Sequence, residues 1–203
     1  MEGFTDKKTE KSSGGWNAAE ARMSFFRKPI TNKRPEAVAL GLFEVYQLVR
    51  SPRYRAETEQ LRTLATKEEQ RTFKGQRLDY VTPSGVFTYC SDQGLVCHSG
   101  VLCIDLDELE DVESTRQRLV ADPMFSTLLA FRSPGGNGLK WMIPIDLSRC
   151  DHRTWFAAVR NYLMATYKLS ERQVDAACSN VSRACYLCYD PEAYLRTDLI
   201  KFF

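Results

Sequence analysis

At 203 residues, 43% of them hydrophobic, the chain is long enough to bury a core without disulfide staples, and its net charge of +2 excludes any argument about partners from overall charge. Its seven cysteines are odd in number and sit in apolar runs such as Val101-Leu102-Cys103-Ile104, which argues for reduced thiols in a cytoplasmic protein and against an extracellular framework. No secretion signal and no apolar run of membrane-spanning length is present, so no membrane partner is expected.

In chain order, residues 1–20 are polar with few apolar anchors and are expected to form a disordered arm. Residues 23–26 read as a short strand. Val38, Leu42, Val45, Tyr46 and Val49 fall on one helical face, which predicts a helix over 35–49 with Pro35 suited to its first turn. A more charged helix covers 54–64, and 67–73 either continues it or forms a third. The texture then changes. Thr82-Pro-Ser-Gly85 is a turn, with strands expected over 86–90, 94–98 and, after a Ser99-Gly100 break, 101–106. A helix over 113–120 follows. Strands over 127–131 and 139–145 flank a glycine-rich loop, a helix covers 154–167, and a last strand over 183–189 ends at Asp190-Pro191. Helices first and then a mostly antiparallel sheet with flanking helices define an α+β fold. One domain is expected over 21–203, helical at about 35–77 and sheet-rich at about 80–195.

Charge is local. Residues 1–34 and 50–77 each hold eight Lys or Arg against four acids, whereas 105–113 hold six acids and no bases. Basic surfaces beside an acidic pocket suit polyphosphate or nucleic acid near metal ions; solvated helix faces account equally well for 50–77 on charge alone.

Three elements offer chemistry. In a strand, alternate side chains share a face, so Asp105 and Asp107 point one way while Leu102, Ile104 and Leu106 point the other. Two neighbouring carboxylates need a compensating cation or proton, and hard oxygen ligands suit Mg²⁺ or Mn²⁺. The competing reading places both acids in a solvated loop after the strand. Next, the loop Ser133-Pro-Gly135-Gly-Asn-Gly138 lets backbone N–H groups approach an anion, and Lys140 opens the returning strand within reach of a phosphate. It is no P-loop, because Trp141 follows Lys140; its bland alternative is a mobile hairpin with a surface lysine. Finally, Arg183 can fork onto a phosphate or a carboxylate, and Asp190 is the preferred third acid, with Asp175 competing. Cys185 and Cys188 have C-x-x-C spacing but no convincing second pair, so structural zinc is not expected. His152 is placed at a helix start and His98 before a turn, and neither belongs to a nucleophile-base pair.

These elements, in this order, resemble the archaeo-eukaryotic primase superfamily. They most resemble the primase-like domain sometimes labelled a VirE amino-terminal domain, found in proteins of bacterial mobile elements. The likeness runs over residues 24–195 and rests on Lys74-Gly-Gln-Arg-Leu78, Thr82-Pro-Ser-Gly-Val-Phe87, Ser99-Gly100, the Asp105/Asp107 strand, Ser133 to Lys140, and Ser182-Arg183 through Asp190-Pro191. The resemblance implies an RRM-like core and a divalent-metal site at Asp105, Asp107 and Asp190. It further implies triphosphate binding by Ser133, Gly135, Gly138, Lys140 and Arg183, with basic residues between Arg50 and Arg77 guiding the template. The implied reaction is nucleotidyl transfer on single-stranded DNA from nucleoside triphosphates, in company with a separate or fused helicase-type ATPase. One departure is clear: Lys140 stands where most active primases place a histidine. Two rival functions remain open, a non-catalytic single-stranded nucleic-acid-binding module of the same fold and another metal-dependent phosphotransfer enzyme or nuclease.

Overall fold

The computed structural model describes residues 17–199. Most of the polar arm expected at 1–20 therefore lies outside the described residues. Its end does not fit that expectation: Asn17 caps a short 3-10 turn, Ala18–Glu20, and Ala18 is buried. Strand β1 (Ser24–Phe26) follows. Helix α1 (Leu42–Arg50) starts later than the apolar spacing predicts. The cause is a bridge: Met23 and Leu40 exchange backbone hydrogen bonds of 2.8 and 2.9 Å, which holds Leu40 extended. Val38 is consequently 71% exposed, off the core face. Helices α2 (Arg55–Thr63) and α3 (Lys67–Arg77) are separate. Thr66 sets the break, accepting from the Glu69 N–H (3.2 Å) while its own N–H donates to the Glu69 carboxylate (3.0 Å), a reciprocal capping box.

The strands β2 (Tyr80–Thr82), β3 (Gly85–Phe87), β4 (Leu95–His98) and β5 (Val101–Leu106) come next, then α4 (Val112–Val120). After them come β6 (Leu129–Arg132), β7 (Leu139–Pro144), α5 (His152–Tyr167), β8 (Cys185–Tyr186) and β9 (Tyr194–Leu195). They form three sheets, ordered β1-β2-β8, β3-β4 and β5-β7-β6-β9, with antiparallel pairing throughout. The fold is α+β, antiparallel sheets with flanking helices. The strand expected over 183–189 shrinks to two paired residues, and they join β2 instead of the sheet that carries Asp105.

The four-stranded sheet is buried on both faces, and this positions the site. Leu102, Ile104 and Leu106 of β5, with Leu139, Trp141 and Ile143 of β7, pack under α4 and α5 against Leu119, Val159 and Leu163. Trp141 is fully buried, with its indole N–H donating to Thr127 Oγ1 at 2.7 Å. Val101, Met142, Leu129 and Phe131 face the other way, onto α1 and the β1-β2-β8 sheet through Val45, Val49, Phe25, Val81 and Cys185. At its end, that second layer opens into a cleft.

Candidate active site

Register places the first functional pair. Asp105 on β5 lies directly opposite Lys140 on β7, and directly opposite residues in an antiparallel pair share a face. Phe131, which faces the second core layer, is in turn opposite Lys140, so the pair points between the sheets. The Lys140 ammonium forms an ion pair with Asp105 Oδ2, and both residues are buried, at 6% and 8% exposure. Burial disfavours the Lys140 charge, but the Asp105 carboxylate more than offsets this and raises its pKa. The other Asp105 oxygen, Oδ1, is buried with no hydrogen-bond partner among the described residues.

Asp107 lies one residue past the end of β5, half-buried, with its N–H donating to the Gln173 carbonyl at 2.9 Å. The chain turns sharply there, since Glu108 takes a left-handed φ of 52°. Segment 173–175 runs beside the end of β5: Leu106 and Val174 form a bridge, and the Asp175 N–H donates to the Asp105 carbonyl at 3.0 Å. Asp175 is thereby brought to the acid pair and salt-bridged to Arg183. Burial, then Asp105 and Asp175, push the Asp107 carboxyl above its usual range, while Lys140 and Lys74 oppose the rise. Against its own burial, Arg183 is held protonated by Asp175.

Asp105, Asp107, Lys140 and Arg183 all line a cleft of about 860 Å³. Its other wall is α3, where Lys67, Gln70, Arg71 and Lys74 recur at helical spacing and all face the opening. Gly75 brings that helix close: a Cβ there would lie 3.1 Å from Ile30, and the Ile30 N–H donates to the Gly75 carbonyl at 2.6 Å. Burial, reinforced by Lys140 and Arg183, holds the Lys74 ammonium below its ordinary pKa, with Asp105 and Asp107 offsetting only part of the effect.

Ser133, Pro134, Gly135 and Asn137 form the rim between these walls. The loop is fixed, contrary to the mobile-hairpin alternative. Ser133 is buried, its N–H donates to the Gly138 carbonyl (2.8 Å), and Arg62 donates to the Pro134 carbonyl (3.2 Å). Gly138 is required where it stands, because a Cβ would lie 2.2 Å from the Leu106 carbonyl oxygen. That close approach presses the loop against the end of the Asp105 strand. Among the described residues, the N–H groups of Gly135 and Asn137 have no protein acceptor.

Several expectations are corrected by this geometry. Asp190 does not join Asp105 and Asp107; it is buried elsewhere, bonded to Arg116 (3.1 Å) and to the Arg132 N–H (2.6 Å). It sits apart because the short β8 leaves the chain on the other sheet. Asp175, the competitor, is the acid that approaches the pair. Lys140 is no free phosphate ligand, since its ammonium is engaged by Asp105. Cys185 and Cys188 are both buried free thiols. Both histidines stand where expected, His152 at the start of α5 and His98 before the Ser99-Gly100 break, but they also meet each other. The cap of α5 is Asp151, which accepts from the Thr154 N–H at 2.8 Å, whereas His152 is buried and 3.1 Å from His98. The Gly100 N–H donates to His98 Nδ1 (2.9 Å) and His152 Nε2 reaches the Cys178 carbonyl (3.1 Å), a chain that satisfies two neutral imidazoles. The sequence assigned the basic residues between Arg50 and Arg77 to a template without setting the α3 row apart; the recurrence of Lys67, Arg71 and Lys74 at helical spacing was the available signal.

Among the described residues, no group of three or more His, Cys, Asp or Glu side chains is disposed to hold a metal ion. Asp105 and Asp107 line the cleft, with Asp175 acting on Asp107 from nearby, all hard oxygen donors. That set fits an ion that takes one or two carboxylates and completes its shell with water and phosphate oxygens, as Mg²⁺ commonly does. Among the described residues, no helix is long and apolar enough to cross a membrane.

Fold and cleft together define an α+β domain with carboxylates and cations gathered at the open end of an antiparallel sheet. Residues 73–195 match the family described as the BT4734-like, N-terminal domain, and the chain belongs to that family. None of the curated proteins compared matches it. Among solved structures, it is similar to the polymerase domain of Mycobacterium tuberculosis ligase D, solved in complex with DNA, at 20% identity with a TM-score of 0.36. The similarity covers 57% of this chain and 47% of that one, so the chain spans about half the length of that domain.

Proposed function

We propose that the domain is a primase-polymerase-type nucleotidyltransferase that extends or initiates a strand on single-stranded DNA from nucleoside triphosphates. The carrying observation is the juxtaposition of Asp105 and Asp107 with a cationic α3 wall across one cleft. Asp105 and Asp107 would hold Mg²⁺ or Mn²⁺, with Asp175 in place of Asp190 as the nearby acid. A bound divalent ion supplies charge neutralisation at the transferring phosphate and favours ionisation of the attacking hydroxyl. Lys140 fixes the Asp105 carboxylate so that Oδ1 faces a constant direction. The Asp175–Arg183 ion pair likewise fixes Arg183 at the cleft wall, and the glycine loop excludes bulk from beside the acids. The resemblance to primase-like domains of mobile elements supports a replication role beside a helicase-type ATPase.

Dinucleotide and primer-extension synthesis on single-stranded DNA with Mg²⁺ or Mn²⁺ is the direct test. Product is expected from the wild type and at most a small residue of it from Asp105→Asn with Asp107→Asn. Absence of wild-type product, or equal product from the double variant, overturns the catalytic reading. A second reading, a non-catalytic single-stranded nucleic-acid-binding module, draws on one observation: Lys140 already neutralises Asp105. It predicts DNA binding without synthesis, unaffected by the double variant.

A further inference from the structure

We infer that the phosphate chain of the incoming nucleotide is held by the α3 wall, through Arg71 and Lys74, and not by Lys140. The inference rests on the nucleotide-binding reading above and names the phosphate subsite within it.

Three observations converge. First, the cleft cations divide into spent and free. Lys140 is paired with Asp105, Lys67 with Glu108 and Arg183 with Asp175. Lys33, Arg71, Lys74 and Arg172 line the cleft with no carboxylate within ion-pair distance among the described residues. Lys33 lies over the Tyr80 ring at 6.0 Å and Arg172 acts on Glu108, which leaves Arg71 and Lys74 as the free pair on α3. Second, Lys74 is half-buried beside two further cations, Lys140 and Arg183. Asp105 and Asp107 offset only part of the cost of holding that charge there, so an arriving anion on the α3 side is favoured. Third, the opposite rim comes close to the helix: a Cβ on Gly135 would stand 3.6 Å from Gln70 Oε1. The free N–H groups of Gly135 and Asn137 lie on that rim. A chain of phosphates lying between α3 and the loop would meet cations on one side and N–H donors on the other, with Asp105 and Asp107 at its end.

A helix face carrying cations is ordinarily solvated, but this one turns toward a cleft whose acids, Asp105, Asp107 and Glu108, form no ion pair with Arg71 or Lys74 among the described residues. The chemistry selects tri- or polyphosphate. A single backbone phosphate of DNA would leave most of these donors unmatched.

Calorimetric titration of the full chain with inorganic tripolyphosphate, in EDTA and without template, tests the subsite apart from the reaction. The wild type should bind, and Lys74→Gln with Arg71→Gln should weaken binding about ten-fold or more, since charge-assisted hydrogen bonds are lost. Lys74→Arg should restore most of the affinity. Unchanged melting temperatures would show that the variants remain folded. No wild-type binding, or equal binding by the double variant, overturns the subsite. So does an oligothymidylate competitor that displaces tripolyphosphate from wild type with its own binding equally weakened in the variant, since the row is then a template track. Tripolyphosphate binding in this titration, with no strand synthesis in the separate assay that supplies metal, template and nucleotides, would sink the polymerase reading alone. Synthesis that persists undiminished in the double variant would sink this inference alone.

Discussion

Replacing Lys140 with methionine isolates the central electrostatic claim, because Met keeps most of the apolar stem and removes only the ammonium. In the structure, Lys140 and Asp105 are both under 10% exposed, and Asp105 Oδ1 already lacks a partner. The variant would leave a carboxylate in a desolvated layer without its cation, a change that typically costs about 3–5 kcal/mol. For a domain of this size, that lowers the melting temperature by roughly 6–20 °C. Pairing the change with Asp105→Asn removes the orphaned charge, so the double variant should regain more than half of the loss. Urea unfolding of wild type, both single variants and the double variant closes the cycle. A further arm follows from the chemistry of the cleft: Mn²⁺ should stabilise Lys140→Met more than wild type, because the ion replaces the missing positive charge. Two results would refute the reasoning, a cost for Lys140→Met below about 1 kcal/mol or a double variant no better than the sum of the singles.

The His98–His152 contact predicts acid sensitivity. Burial, with His152 adjoining, lowers the His98 pKa to about 4 from 6.5, and burial lowers that of His152 as well. Both fold as neutral imidazoles while the unfolded chain takes up protons first, so stability is full above about 6.5 and falls as pH drops towards 4. The half-exposed setting limits the His98 share to about 1–2 kcal/mol; urea midpoints that stay level across this window, or match those of His98→Gln, would contradict it. Asp190→Asn should destabilise the fold by about 2–4 kcal/mol, since it strips the buried Arg116 of one partner. The same variant should bind tripolyphosphate as wild type does. Weakened binding by a still-folded Asp190→Asn protein would return Asp190 to the site.

The chain order of the elements was legible because it is local. Alternation in Val101-Leu102-Cys103-Ile104-Asp105-Leu106 marks β5, and the capping pattern of Thr66 with Glu69 could have separated α2 from α3. Other features depended on pairing that no window of sequence contains. Leu40 leaves the expected first helix because Met23 pairs with it from seventeen positions upstream. Strands β2, β8 and β9 hold two or three residues each, too few for any periodicity to register. Asp190 was preferred over Asp175 because it follows an apolar run, as Asp105 does. That run belongs to a different sheet, and a residue at the end of one strand is adjacent to another only if the strands pair. Lys140 was read at the start of the returning strand, where it stands, but its partner was set by register: Asp105 lies opposite it, so the ammonium is already paired before any ligand arrives.

The charge balance of the cleft explains why the acids and cations belong to one site. Lys140 with Asp105 and Arg183 with Asp175 form two locally neutral pairs. Without an ion pair among the described residues are Asp107 on one wall, its carboxyl raised by burial and its acidic neighbours, Arg71 and Lys74 on the other, and the lining cations Lys33 and Arg172. A divalent cation alone would gain Asp107 and Asp105 but approach Lys140 and Lys74. A polyphosphate alone would gain α3 but approach Asp107. Each ligand supplies the charge that the other finds missing, so the cleft is matched to the two together better than to either. Under the proposed reading that is the electrostatic requirement of phosphoryl transfer, and two carboxylates would suffice because phosphate oxygens and water would supply the remaining donors to the ion.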